Sequence, residues 1–184
     1  MLNLLIAATA GALTAYLGFA PIGWWWFPII GLAILAALIQ HAPTVKRGAL
    51  IGFVFGTTYF IAGVSWVRIS MNEFGGMPLP MAWLAAILFC GFLALYPMLA
   101  CAFATWAKPK GAFFFATIFA SAWTFAEYLR AHLFTGFEWL TIGTSQTGAF
   151  SQTWVVQLFG SFGASFFIAA LAGWVATLDR KSVV

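Results

Sequence analysis

Residues 80–107 read PMAWLAAILFCGFLALYPMLACAFATWA, an apolar run without one charged side chain that ends at Lys108-Pro109-Lys110. A helix needs about 20 predominantly apolar residues to cross the hydrocarbon of a bilayer, and this run exceeds that. Similar runs lie on both sides of it. Upstream, the first run, Leu2 to Phe19, is stopped by Pro21-Ile22-Gly23, and a second opens at Trp24-Trp25-Trp26 and reaches Ile39. A polar break from Gln40 to Arg47 precedes a third run, Gly48 to Val67, and Arg68, Asn72, Glu73, Gly75, Gly76 and Pro78 separate it from the quoted stretch. Downstream, a fifth run goes from Gly111 to about Leu129 and a sixth from about Trp154 to Leu178. The chain therefore reads as an all-α polytopic membrane protein, a single transmembrane domain over residues 1–184. Its spans are expected at approximately 2–19, 24–39, 48–67, 80–107, 111–129 and 154–178, with external segments at 68–79 and 130–153.

Composition supports lipid as the main solvent. Hydrophobic residues make up 64% and charged residues 7%, against about 25% charged in an ordinary soluble domain. A compact soluble fold of this size could not hide 21 Phe and 10 Trp. The net charge of +4 comes from Lys and Arg too few and too dispersed to track a phosphate backbone, so no nucleic-acid partner is expected. Ala8-Thr9-Ala10 has the small-x-small form of a leader cleavage site, but no basic residue precedes it and the apolar run continues beyond it, so a membrane span is the better reading.

The few charges fix an expected orientation. Lys46, Arg47, Lys108, Lys110, Arg180 and Lys181 fall in three breaks that six crossings put on the side of the N-terminus. By the positive-inside rule that side, with both termini, is cytoplasmic. The opposite, external face holds Arg68, Glu73, Glu127, Arg130, His132 and Glu138, which leaves only Asp179 among the acids inside, beside Arg180.

Within the third run Gly48, Gly52 and Gly56 recur every four residues, with Phe60 and Gly63 continuing the same side. Small residues at that spacing let membrane helices approach closely, so the stripe reads as a packing surface. Cys90 and Cys101, eleven apart in one run, lie about 16 Å apart on a straight helix, too far for a disulfide. With no partner to generate a thiolate, they read as packing residues.

The residues able to carry chemistry lie in the external segments. Glu127 and Arg130 are three apart at a helix end, so they share a face and can pair. Two readings stay open: mutual neutralisation of charge near hydrocarbon, or a polar site for a lipid headgroup or a peptide terminus. His132 reads as a bystander. The stretch from Phe134 to Gln152 is too polar to span and too aromatic for a free loop, so it is expected to lie in the outer interface or to re-enter it, anchored by Phe137 and Trp139. The chain contains no metal-ligand cluster, phosphate-cradling glycine loop or nucleophile with its base, so no cofactor, metal or catalytic residue is expected here.

Trp66-Val67, Phe74-Gly75-Gly76-Met77-Pro78, Glu127-Tyr128-Leu129-Arg130, Thr135-Gly136-Phe137, Trp139-Leu140 and Ser145-Gln146, taken in order and spacing, resemble the membrane portion of bacterial apolipoprotein N-acyltransferases. The likeness runs through essentially the whole chain. Glu138 stands where that family usually has Pro, and Thr144 where it usually has an aromatic residue. The resemblance implies a multi-pass enzyme of the bacterial inner membrane that moves an acyl chain from a phospholipid to the free amino group of a diacylglyceryl-cysteine lipoprotein. It also implies a periplasmic nitrilase-like domain, with a Glu, a Lys and a Cys, located beyond a further membrane helix. This chain is accordingly expected to be the membrane module of such an enzyme, inactive by itself. Trp66, Arg68, Glu73, Gly75, Gly76, Pro78, Glu127, Arg130, Trp139 and Gln146 are the expected surface for substrates or for the catalytic domain. A non-catalytic scaffold or transporter-like subunit, or an inactive truncated product, is the rival reading.

Overall fold

A computed structural model of the chain describes residues 1–107, 110–147 and 153–178. Regular structure among these residues is entirely helical: α1 (Leu2–Gly18), α2 (Phe27–Gln40), α3 (Val45–Val64), α4 (Val67–Ile69) running into a π-turn over Ser70–Phe74, α5 (Leu79–Leu93), α6 (Leu95–Ala107), α7 (Ala112–His132), a 3₁₀ turn over Ile142–Gln146, and α8 (Thr153–Leu178). The six longest-packed elements close into a ring in which α1 touches α3, α3 touches α6, α6 touches α7, α7 touches α8, α8 touches α2 and α2 returns to α1. α5 leans on α3 from outside.

The distribution of side chains inverts that of a water-soluble bundle. Small residues such as Ala7, Ala36, Ala86, Ala120 and Ala172 are buried between helices, while Leu88, Leu99, Trp106, Phe113 and Phe125 stand exposed on the outer wall. Such a wall is stable only in an apolar solvent. Among the described residues, four helical segments are long and apolar enough to cross a membrane: Val45–Val64, Leu79–Ala107, Ala112–His132 and Trp154–Leu178. α1 and α2, with 17 and 14 residues, are apolar but shorter than that length. The expected spans at 2–19 and 24–39 are thus helical but shorter than drawn, because Pro21 and Gly23 take the chain through a turn and the second helix starts only at Phe27, with Pro28 in its first turn.

The structure adds detail to the sequence reading in three further places. The external segment 68–79 begins as helix: α4 and the π-turn carry the chain to Phe74, and Gly75 and Gly76, the latter at φ +66°, make the reversal before Pro78. The run 80–107 is interrupted at Ala94, because Pro97 has no N–H to offer Leu93 and its ring crowds that carbonyl. The last span contains a non-helical residue, Gly160, at φ +69°. Of the six cations assigned to one face, Lys108, Arg180 and Lys181 lie outside the described residues, as do positions 148–152 of the second external segment.

The glycine stripe of α3 is a packing surface. A Cβ on Gly52 would stand 2.6 Å from the Pro97 carbonyl oxygen and 2.7 Å from Cys101 Cβ, and one on Gly56 2.5 Å from Pro97 Cγ; Gly48 meets the Thr105 side chain. These contacts set Lys46 and Arg47, at the start of α3, beside the end of α6. Cys90 and Cys101 are free thiols buried on different helices. Overpacking a close helix contact costs about 1–3 kcal/mol, so Gly52→Leu is expected to lower the thermal midpoint of the detergent-solubilised chain by several degrees. Gly91 has open space around its Cα, and Gly91→Ala should hold or slightly raise the midpoint; circular-dichroism melts compare the two.

Candidate functional site

At the end of the ring opposite Lys46 and Arg47, the segment after α7 folds back onto the bundle instead of leaving it. Phe134, Thr135 and Gly136 take three successive left-handed conformations, at φ +52°, +76° and +77°, and reverse the chain at once. A Cβ at Gly136 would collide with the Ala131 carbonyl, so only glycine fits there. The Phe137 N–H then donates to the Arg130 carbonyl at 2.9 Å, and the chain passes across the ring end to the 3₁₀ turn, where Thr141, Ile142, Gly143, Ser145 and Gln146 are buried. This is irregular backbone held inside protein, the condition under which such backbone is tolerated at membrane depth.

Arg130 shapes the return. Its side chain is 3% exposed; Nη1 donates to the carbonyl oxygens of Phe137 at 2.5 Å and Trp139 at 2.6 Å, and Nη2 to Thr141 Oγ1 at 3.3 Å. The guanidinium also lies 5.3 Å from the centre of the Phe60 ring. A planar cation with five donors in a fixed fork spans the acceptors of one bent segment more widely than a compact ammonium does. Glu127, 5% exposed, holds the next stretch: its Oε1 accepts from Ile142 N–H at 2.8 Å and from Trp123 Nε1–H at 3.1 Å.

Glu127 and Arg130 share a helix face, as the spacing requires, and each is hydrogen-bonded to the returning segment rather than to the other. Three more bonds complete the clamp: Tyr59 Oη donates to the Leu140 carbonyl at 2.7 Å, Gly143 N–H to Ser165 Oγ at 2.8 Å, and Gln146 Nε2 to the Trp25 carbonyl at 2.9 Å. Tyr59, Trp123, Thr141 and Ser165 were not singled out from the sequence. A hydroxyl within an apolar helix was the available signal for Ser165, shared with Ser161, and for Tyr59 there was none.

Beside the clamped segment is a cleft of about 790 Å³, walled by Tyr16, Phe19 and Pro21 from the end of α1, Gly63 and Trp66 from α3 and beyond, and Gly136 to Leu140 with Thr144 from the returning segment. Trp66 and Trp139 meet across it with ring centres 5.4 Å apart and planes at 59°. Glu138 is exposed and accepts from Ser161 Oγ at 3.3 Å. Of the expected site residues, the structure brings Trp66 and Trp139 to the cleft and puts Glu127, Arg130 and Gln146 behind its wall. Arg68, Glu73, Gly75, Gly76 and Pro78 lie elsewhere, along the turn between α4 and α5, where Arg68 stacks 4.6 Å over Trp83. His132 is exposed and stacks on Tyr128 at 4.1 Å.

Arg130→Ala leaves two carbonyls and a hydroxyl without their donor, and each buried unsatisfied group costs about 1–3 kcal/mol. Digestion of the micelle-solubilised chain with proteinase K, mapped by mass spectrometry, should then cut within 133–147 at least tenfold faster. Arg130→Lys should fall between, and Glu127→Gln, which keeps the Oε1 acceptor, should cleave near the parent rate. Equal cleavage of all four proteins would remove Arg130 as the holder of the segment.

Residues 10–174 match the family model described as the apolipoprotein N-acyltransferase N-terminal domain. Among curated proteins, the apolipoprotein N-acyltransferase of Nitrosomonas europaea is 40% identical over 179 residues, which is 94% of this chain and 35% of the relative. The enzyme of Ralstonia nicotianae is 39% identical over 96% of this chain and 34% of its own length, and that of Methylococcus capsulatus 38% identical over 98% and 36%. The chain thus spans about a third of the length of these relatives. An ordered set of matches over nearly every residue, on an all-helical membrane-type bundle, leaves one assignment: the chain belongs to the apolipoprotein N-acyltransferase family and corresponds to its N-terminal domain.

Proposed function

We propose that this chain is the membrane module of an apolipoprotein N-acyltransferase in the bacterial inner membrane. In this reading all six long helices cross the bilayer, α1 and α2 by drawing on the flanking turn and the interfacial tryptophans Trp24, Trp25 and Trp26. Both termini face the cytoplasm. The cleft end faces outward, where it serves a nitrilase-like catalytic domain supplied by the rest of the enzyme. The acyl donor is a membrane phospholipid and the acceptor a diacylglyceryl lipoprotein.

The observation that carries the reading is the clamped segment with its cleft: an aromatic, lipid-compatible recess at one end of an apolar-walled ring, held rigid by buried ionic groups. Trp66 and Trp139 receive the acyl chain near its ester, while Glu127, Arg130 and Gln146 fix the segment that carries Trp139. Arg68, Glu73, Gly75, Gly76 and Pro78 form a second external surface, which contacts the catalytic domain. Rigid placement of a recess is what a reaction between two lipids requires, since positioning alone contributes much of the rate. The chain's share of the chemistry is to bind, orient and exclude water.

Joining residues 1–178 to the remainder of the Nitrosomonas europaea enzyme tests the module. The chimera is expected to acylate a diacylglyceryl lipopeptide, and its Trp139→Ala variant to do so at least tenfold more slowly with unchanged membrane insertion. A chimera that inserts and never acylates would overturn the reading. Orientation is checked separately: with Cys90 and Cys101 buried, an impermeant maleimide should label Ser70→Cys on intact spheroplasts and Thr44→Cys only after permeabilisation.

A further inference from the structure

We infer that Tyr59 is a positioning residue for the cleft, bracing its two opposite walls from beneath: the ring supports Phe19 on one side and the hydroxyl fixes Leu140 on the other.

Tyr59 is buried near the external end of α3, one turn before Gly63. Its ring meets Phe19 edge-on with centres 6.2 Å apart, and Phe19 belongs to the α1 wall of the cleft. Its hydroxyl donates to the Leu140 carbonyl at 2.7 Å. Leu140 is held at φ +60°, a conformation that costs a branched, non-glycine residue about 1–2 kcal/mol and persists only where surroundings enforce it. Two features enforce it here, the hydrogen bond from Tyr59 and the seat for the Leu140 side chain on Gly63, where even a Cβ would meet its Cδ1. Leu140 follows Trp139 directly, so the backbone turn at 140 decides where the Trp139 indole stands relative to Trp66. Phe55 stacked at 6.0 Å and Phe60 edge-on at 5.2 Å hold the phenol ring itself in place. A phenylalanine would fill the same space among these rings. The polar atom is thus needed for Leu140 and not for packing.

The inference deepens the module reading and rests on it only for the activity measurement. Tyr59→Phe keeps the ring against Phe19 and deletes the hydroxyl; Tyr59→Leu removes both supports. Hydrogen–deuterium exchange on the whole chain in micelles should show the amides of residues 139–142 exchanging about tenfold faster in Tyr59→Phe, with α3 and α7 unchanged. A photoreactive phospholipid should crosslink to residues 136–140 less in Tyr59→Phe than in the parent, and in Tyr59→Leu lose its crosslinks to residues 16–21 as well. In the chimera, Tyr59→Phe should raise KM for phospholipid about five- to tenfold with kcat within twofold. A purely structural tyrosine would lower the thermal midpoint and leave exchange at 139–142, crosslinking and KM unmoved; that result overturns the inference. If the parent chimera is inactive, the module reading fails, and exchange and crosslinking still decide the role of Tyr59.

Discussion

Burial of the Arg130 guanidinium is the constraint on which the cleft end of this molecule depends. A charged group in or near hydrocarbon pairs with another charge or with backbone carbonyls. Here the acceptors are carbonyls of a segment that has just left the same helix, so α7 and residues 133–141 specify one another. Without the loop the arginine would be an unsatisfied charge, and without the arginine the loop would have two carbonyls turned into an apolar interior. Glu127 extends this dependence one step along the chain by taking the first N–H of the 3₁₀ turn, whose unpaired donors make a helix start favourable for an anion.

The remainder of the bundle is built so that this end can exist. Close approach of α3 and α6 over Gly52 and Gly56 draws Tyr59, Phe60, Tyr96 and Pro97 beneath the clamp. The break at Ala94 serves the same geometry. It lets α5 lean away along the outer side of α3 while α6 stays in the ring, so Phe89 and Phe92 reach Phe137 and Phe134 from the side. The returning segment is thereby held by polar bonds from below and aromatic contacts at its flank.

Much of the architecture was legible in the sequence because lipid imposes a coarse rule: long apolar runs become helices, and charges mark their ends. The glycine stripe was legible for the same kind of reason, since four-residue spacing places small residues on one face whatever the partner. The lengths of α1 and α2 were not, because hydropathy continues through Phe19 and through Trp24 to Trp26 while the helices end at Gly18 and resume at Phe27, with turn hydrogen bonds between. The fate of Glu127 and Arg130 was half legible. Spacing put both on one face, but the competing partners were backbone carbonyls and an N–H seven to fifteen residues away, and a backbone group carries no letter in a sequence. Tyr59, joined to a carbonyl 81 positions later, had no local mark at all.

That the clamp addresses backbone has a consequence for how this surface can change over time. Carbonyls of Phe137, Trp139 and Leu140 and N–H groups of Ile142 and Gly143 are the groups held, and every residue type supplies the carbonyl, while all but proline supply the N–H. Substitution at the exposed positions 138 and 139 therefore alters what the segment displays without altering the path it follows, whereas Gly136 and Gly143, where a Cβ would meet backbone, are fixed by space. Glu138 and Thr144 both line the cleft. Mutational tolerance and geometric precision, usually opposed, are here assigned to different atoms of the same residues.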